Sequence, residues 1–187
     1  MGKVISLINT TPDGFVDSHY VIADAEFHEF VHTLLANAHS VAFGKNTFEL
    51  FQQIWPGILE KEEAAESQVR MAKALGAIPK IAYSSKLEST TWSNSRVISV
   101  INAEQIASEK KDSDKDLLTI GSPGLVASLT ELKLVDDYYF CIQPVIAGSG
   151  NARLFDKIAL EARQPLKFVV AKQLQSGVII LHYRRII

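Results

Sequence analysis

Ile120-Gly121-Ser122-Pro123-Gly124-Leu125 decides the reading of this chain. The apolar run Leu117 to Ile120 stops on a glycine, and a stretch with helical spacing then opens at about Gly124. That is a buried strand passing into a helix through a turn of small residues. The same design stands at Gly44-Lys45-Asn46-Thr47, behind Ser40 to Phe43, and at Ser84-Ser85-Lys86, behind Lys80 to Tyr83. In an open α/β sheet, ligands bind outside the carboxyl ends of the strands. Free N–H groups at a helix start, with hydroxyls nearby, attract phosphate. Lys45 and Lys86 add positive charge. Three such junctions, spaced like successive strand ends, point to a phosphate-bearing ligand. No GxGxxG follows the first strand and no GxxxxGK[ST] occurs, which argues against a Rossmann dinucleotide site and a P-loop.

Outward from these junctions, strand and helix alternate. Val4 to Ile8 reads as an opening strand, broken by the turn Thr10-Thr11-Pro12-Asp13-Gly14. Asp24 caps a helix to about Ala38, with Phe27, Phe30, Val31, Leu34 and Leu35 at helical spacing. A short helix runs from Asn46 or Thr47 to Phe51, and Trp55-Pro56-Gly57 reads as a turn. Glu60 to Leu75 is a charged, alanine-rich helix with Gly76 suited to its C-terminal cap. Arg96 to Val100 is a strand, Ala103 to Lys110 a helix, and Gly124 to about Leu132 another. After Asp137 the pattern changes. Tyr138 to Val145, Leu166 to Leu174 and Val178 to Arg184 are strands with almost no helix between them, and Gln175-Ser176-Gly177 is a hairpin turn. The expectation is a single α/β domain over residues 1–187. It has a mostly parallel central sheet, antiparallel C-terminal strands, and helices on both faces.

The 187 residues are 47% hydrophobic and 21% charged, a globular composition with a sizeable core. A net charge of -2 advertises no nucleic-acid partner. The single cysteine, Cys141, excludes an intramolecular disulfide and a zinc ribbon, and its apolar surroundings read as core. No stretch approaches membrane-spanning length, and the first residues do not read as a signal peptide. The expectation is a cytoplasmic protein.

The order of these motifs carries a resemblance. It runs from Pro12-Asp13-Gly14-Phe15-Val16-Asp17 through Phe43 to Glu49, Trp55-Pro56, Ser84-Ser85 and Ile120 to Leu125. It ends at Pro144-Val145-Ile146-Ala147-Gly148-Ser149-Gly150 with Leu154-Phe155. This is similar to the dihydrofolate reductase-like family, closest to the branch containing the C-terminal reductase domain of bacterial riboflavin biosynthesis, and it spans nearly the whole chain. The resemblance implies NADPH binding and hydride transfer to a small heterocyclic (pteridine- or pyrimidine-like) or carbonyl substrate. It implies that Gly44, Lys45, Asn46 and Thr47 pack on the cofactor pyrophosphate, and that Ser84 and Ser85 reach the adenosine 2′-phosphate. Gly121, Ser122, Pro123, Gly124 and Leu125 would face nicotinamide and pyrophosphate. Asp13, in the loop bordering nicotinamide and substrate, and His28, on the substrate side, are the candidates for orienting substrate or relaying a proton. With edge-strand logic it also implies a homodimer, with an apolar strand such as Tyr138 to Ile142 buried between subunits. A non-catalytic nucleotide-binding protein of the same fold is the alternative.

Three departures qualify the resemblance. Lys45 stands in place of an arginine, so a point charge replaces a bidentate phosphate contact. Ser122 stands in place of a second glycine. The pterin-binding carboxylate of the dihydrofolate reductases falls near His28, so dihydrofolate is not the expected substrate.

His28-Glu29-Phe30-Val31-His32 is also a literal HExxH on a predicted helix, the pattern of zinc hydrolases. The extended metal motif wants a glycine and a third histidine where Leu35 and Ala38 stand. The zinc reading therefore ranks below the reductase reading, and no metal is expected. Otherwise Phe27, Val31, Leu34 and Ala38 form the buried stripe, flanked by His28, His32 and His39. His19 and His182 are expected at the surface or in loops, and Trp55 is expected to be a packing anchor.

Overall fold

The computed structural model describes residues 1–156 and 158–186. Along the chain run β1 (Val4–Thr10), α1 (Ala25–Ala36), β2 (Ala38–Gly44), α2 (Lys45–Ile58), α3 (Glu66–Ala77), β3 (Lys80–Tyr83) and β4 (Ser95–Ile98). Then come α4 (Ala103–Asp112), β5 (Asp116–Ile120), α5 (Pro123–Glu131), β6 (Asp137–Ile142), β7 (Leu166–Gln173) and β8 (Ile179–Arg185). The strands form one sheet in the order β4-β3-β2-β5-β1-β6-β8-β7. Every pairing from β4 to β6 is parallel, while β8 runs antiparallel to both of its neighbours.

Both faces of the sheet are covered. Successive strand residues alternate between two cores: Val41 and Phe43 belong to one and Ala42 to the other, and Leu118 faces opposite to Leu117. The first core takes Phe27 and Val31 of α1, Phe48 of α2 and Met71 of α3. The second takes Ile106 of α4 and Leu125 and Leu129 of α5.

Several sequence expectations need correction. Trp55-Pro56-Gly57 is not a turn, because α2 continues to Ile58 with Pro56 inside it. The aromatic stripe Phe48, Phe51, Trp55 keeps packing, on Phe43, Trp92 and His28, past the hydrogen bond the proline removes. The next helix begins at Glu66 rather than Glu60, since the run Glu60 to Glu63 has no face to bury. Gly76 lies within its last turn, not at its cap. Lys80 closes that end instead, its buried ammonium donating to the carbonyls of Leu75 (2.7 Å), Ile78 (2.8 Å) and Gly76 (3.3 Å).

His182 is buried in β8, with Nε2 2.7 Å from Asp137 Oδ1 and its ring stacked on Tyr139. His28 is part of the buried face of α1 rather than a flank, because Ser67 of α3 and Trp55 of α2 pack against it. The strand Tyr138 to Ile142 lies between β1 and β8, with Tyr138 and Cys141 buried inside the subunit, so it is not a shared edge. The edge is β7.

Candidate active site

The carboxyl ends of β2, β3 and β5 bring the three small-residue junctions together. Gly44, Lys45 and Asn46, then Ser84, Ser85 and Lys86, then Gly124 and Leu125 line one groove of about 560 Å³. Helices α1 and α4 begin with side-chain caps, Asp24 accepting from Phe27 N and Asn102 from Gln105 N. Helices α2 and α5 do not: neither Gly44 nor Ser122 caps its own helix. Two helix starts without a side-chain cap therefore open on the same end of the sheet, an arrangement suited to an anion.

Ser122 fastens the two turns to each other. Its Oγ accepts from Gly44 N at 2.9 Å. It does so from the left-handed backbone region, φ 61°, which costs a non-glycine residue about 1–2 kcal/mol. Gly121 beside it is also left-handed, at φ 65°, and a Cβ there would lie 3.4 Å from Thr47 Cγ2. The serine thus occupies a position suited to glycine, and its hydroxyl supplies a contact that glycine lacks.

Thr47, Gly121, Ser122 and Pro123 also line a second cleft, of about 330 Å³, so the same two turns wall both spaces. Its other walls are apolar, from Phe27, Val31, Phe51, Trp55 and Met71, with Asn9, His28 and Gln68 among the polar groups. His28 Nδ1 lies 3.3 Å from Ser67 Oγ, and Trp55 meets the imidazole edge-on at 5.8 Å. Burial lowers the His28 pKa below the ordinary histidine value, and Asp24 pulls it only partly back. Burial therefore favours the neutral ring.

Asp13 does not line this cleft. Its carboxylate accepts from Thr11 Oγ1 (2.7 Å), Gly148 N (2.7 Å) and Ala147 N (3.1 Å), which lowers its pKa to about 2. Asp17 makes a parallel staple, accepting from Asn151 N at 3.0 Å. Together they tie the loop of residues 11–22, which supplies Val16, Ser18 and Val21 to the cleft, to the loop of residues 144–153. A wider groove, about 700 Å³, lies among His39, Lys80, Ser95 and Arg96. That is the amino end of the strands, away from the helix starts, so its size does not make it the site.

The family model of the RibD C-terminal domain matches residues 3–180. The chain belongs to the RibD C-terminal domain family. It is 24% identical to the uncharacterized protein YyaP of Bacillus subtilis, over 97% of this chain and 94% of that one. Among solved structures, Acinetobacter baumannii RibD is similar with a TM-score of 0.68 at 14% identity, covering all of this chain and 58% of that one. A dihydrofolate reductase of Enterococcus faecalis, solved with NADP(H), is similar with a TM-score of 0.59 at 12% identity, over 98% and 96% of the two chains. These structural likenesses are likenesses of fold, which is dihydrofolate reductase-like.

In this RibD C-terminal domain, the HExxH does not assemble as a metal centre. Glu29 is exposed and paired with Arg70 at 2.8 Å, and among the described residues no group of three His, Cys, Asp or Glu is gathered to hold a metal. Trp55, expected to be a packing anchor, also walls the cleft. Asn9 went unread in the sequence: a polar residue near the end of a buried strand carries no motif. Among the described residues no helix is long and apolar enough to cross a membrane.

Proposed function

We propose that the chain is an NADPH-dependent oxidoreductase transferring a hydride to a small heterocyclic or carbonyl substrate, pteridine- or pyrimidine-like in size. One observation carries the reading: two uncapped helix starts share a groove whose turns also wall an apolar cleft containing a buried histidine. The groove suits the cofactor chemically. Gly44, Lys45, Asn46 and Thr47, with Gly121, Ser122, Pro123, Gly124 and Leu125, would hold the pyrophosphate through backbone N–H groups and the Lys45 charge. Ser84 Oγ accepts from Lys86 N at 3.0 Å, which leaves its hydroxyl hydrogen, with that of Ser85, for the 2′-phosphate. Bound NADPH would supply the hydride, and the protein would orient the acceptor and exclude water.

On the substrate side, His28 would orient the acceptor or give a hydrogen bond to it, and Asp13 would keep the loop of residues 11–22 in place. We further propose a cytoplasmic homodimer that works on small molecules. Its edge strand β7 exposes Phe168, Val169 and Val170. The test is NADPH oxidation, followed by absorbance, with pteridine, pyrimidine and carbonyl candidates. Turnover of one candidate is the expected result. Tight NADPH binding with no turnover across the panel would favour a non-catalytic nucleotide-binding protein.

A further inference from the structure

One polar group of the cleft, Asn9, has its direction set by a buried glutamine. Gln143 is 1% exposed. Its Oε1 accepts from the backbone N–H of Ile22 at 2.9 Å, and a backbone N–H can only donate. The amide of Gln143 therefore cannot be turned round, and its Nε2 must face Asn9, whose Oδ1 accepts from it at 2.9 Å. The orientation of Asn9 follows: its oxygen is spent on Gln143, and its NH₂ is left over. Among the described residues nothing accepts from Asn9 Nδ2, and Asn9 lines the cleft.

The rest of the lining selects by charge. Among the described lining residues there is no Asp, Glu, Lys or Arg, and the one titratable group, His28, is held neutral by its burial. The nearest acid acting on His28, Asp24, caps α1 through Phe27 N and is not part of the lining. A phosphorylated or carboxylated substrate would find no counter-charge here, and a protonated diaminopyrimidine would find no carboxylate. Desolvating either charge without a partner is costly. Phe27, Phe51 and Trp55 offer flat apolar surface instead.

Resting on the reading of this cleft as the substrate side, we infer that it takes an uncharged, planar heterocycle without a phosphate, which presents a hydrogen-bond acceptor to Asn9 Nδ2. Asn9 is the group that touches substrate, and Gln143 is a positioning residue acting through it.

The test is a set of protein-observed NMR titrations, with and without NADPH, read at the Trp55 indole and His28 ring resonances. The probes are quinoxaline (neutral, acceptors only), 2,4-diaminoquinazoline (donor-rich and protonated) and uridine 5′-monophosphate. The wild type is expected to bind quinoxaline at least tenfold more tightly than either of the others. Asn9→Asp should reverse the order of the first two, because the amide donor becomes a carboxylate. Gln143→Met should shrink the wild-type preference at least threefold, because Asn9 is then free to turn, without reversing it, because the lining still offers no counter-charge. A merely structural role for Gln143 would weaken both probes and leave the ratio standing. Thermal melts of both variants separate lost preference from lost fold. Uridine 5′-monophosphate binding as well as quinoxaline, or an Asn9→Asp variant that melts like the wild type and keeps its preference, overturns the inference even if NADPH binds. Quinoxaline binding with the expected reversal but no NADPH binding upholds the inference while the reductase reading falls.

Discussion

His28 shows how burial decides chemistry at the scale of one residue. It is 6% exposed, and loss of solvent disfavours its imidazolium more than Asp24 favours it. The folded pKa therefore lies below the ordinary 6.5. As pH falls, the unfolded chain takes up this proton first, so stability from the neutral buried ring is present above about pH 6.5 and declines below it. Activity that depends on the neutral ring should hold through neutrality, with an acid limb in the kcat/KM profile below pH 6.5. His28→Phe should lower kcat by about 10²-fold or more with little change in melting temperature. A limb above pH 7, or full activity in the variant, would remove His28 from the site. The groove was legible in the sequence only as a set: glycine and serine at one strand end make an ordinary turn, but three such junctions at successive strand ends do meet in one groove. The roles of Ser122 and Asn9 were not legible, since each depends on a partner far along the chain, Gly44 for one and Gln143 for the other.

At the scale of elements, periodicity located strands well. The strand Lys80–Tyr83 falls where the apolar run stood, and the parallel part of the sheet follows the strand–helix alternation. What escaped was decided by tertiary contact: the continuation of α2 through Pro56, and the closing of α3 by Lys80 rather than Gly76. The join between β6 and β8 was equally hidden. Asp137 accepts from His182 (2.7 Å) and Arg184 (3.0 Å) and pairs with Lys3 (2.8 Å) from just ahead of β1. Burial raises its pKa, but these hydrogen bonds outweigh burial and leave it below the ordinary carboxylate value. Its contribution to stability is therefore present above about pH 4 and is lost as pH falls through the lowered pKa. Asp137→Ala leaves Lys3 and Arg184, both about half exposed, and the buried His182 without their shared partner, and should cost about 1–3 kcal/mol by urea denaturation. A cost under about 1 kcal/mol would show that the network is ornamental.

At the scale of the whole molecule, one end of the sheet carries the candidate site, and β7, one of the two edges, is strongly apolar. Strand β7 exposes Phe168 (54%), Val169 (40%) and Val170 (52%), more apolar surface than an edge strand normally leaves to water. The expected state in gel filtration is a dimer, reduced to monomer by Phe168→Lys with Val170→Lys. A wild-type monomer at micromolar concentration would contradict it. Calorimetric titration with NADPH tests the cofactor groove itself. One NADPH should bind per chain, at least tenfold more tightly than NADH. At least a tenfold loss should follow in a Lys45→Glu, Lys86→Glu variant that melts like the wild type. Absence of NADPH binding to the wild-type protein at millimolar concentration would contradict the assignment of the groove to the cofactor.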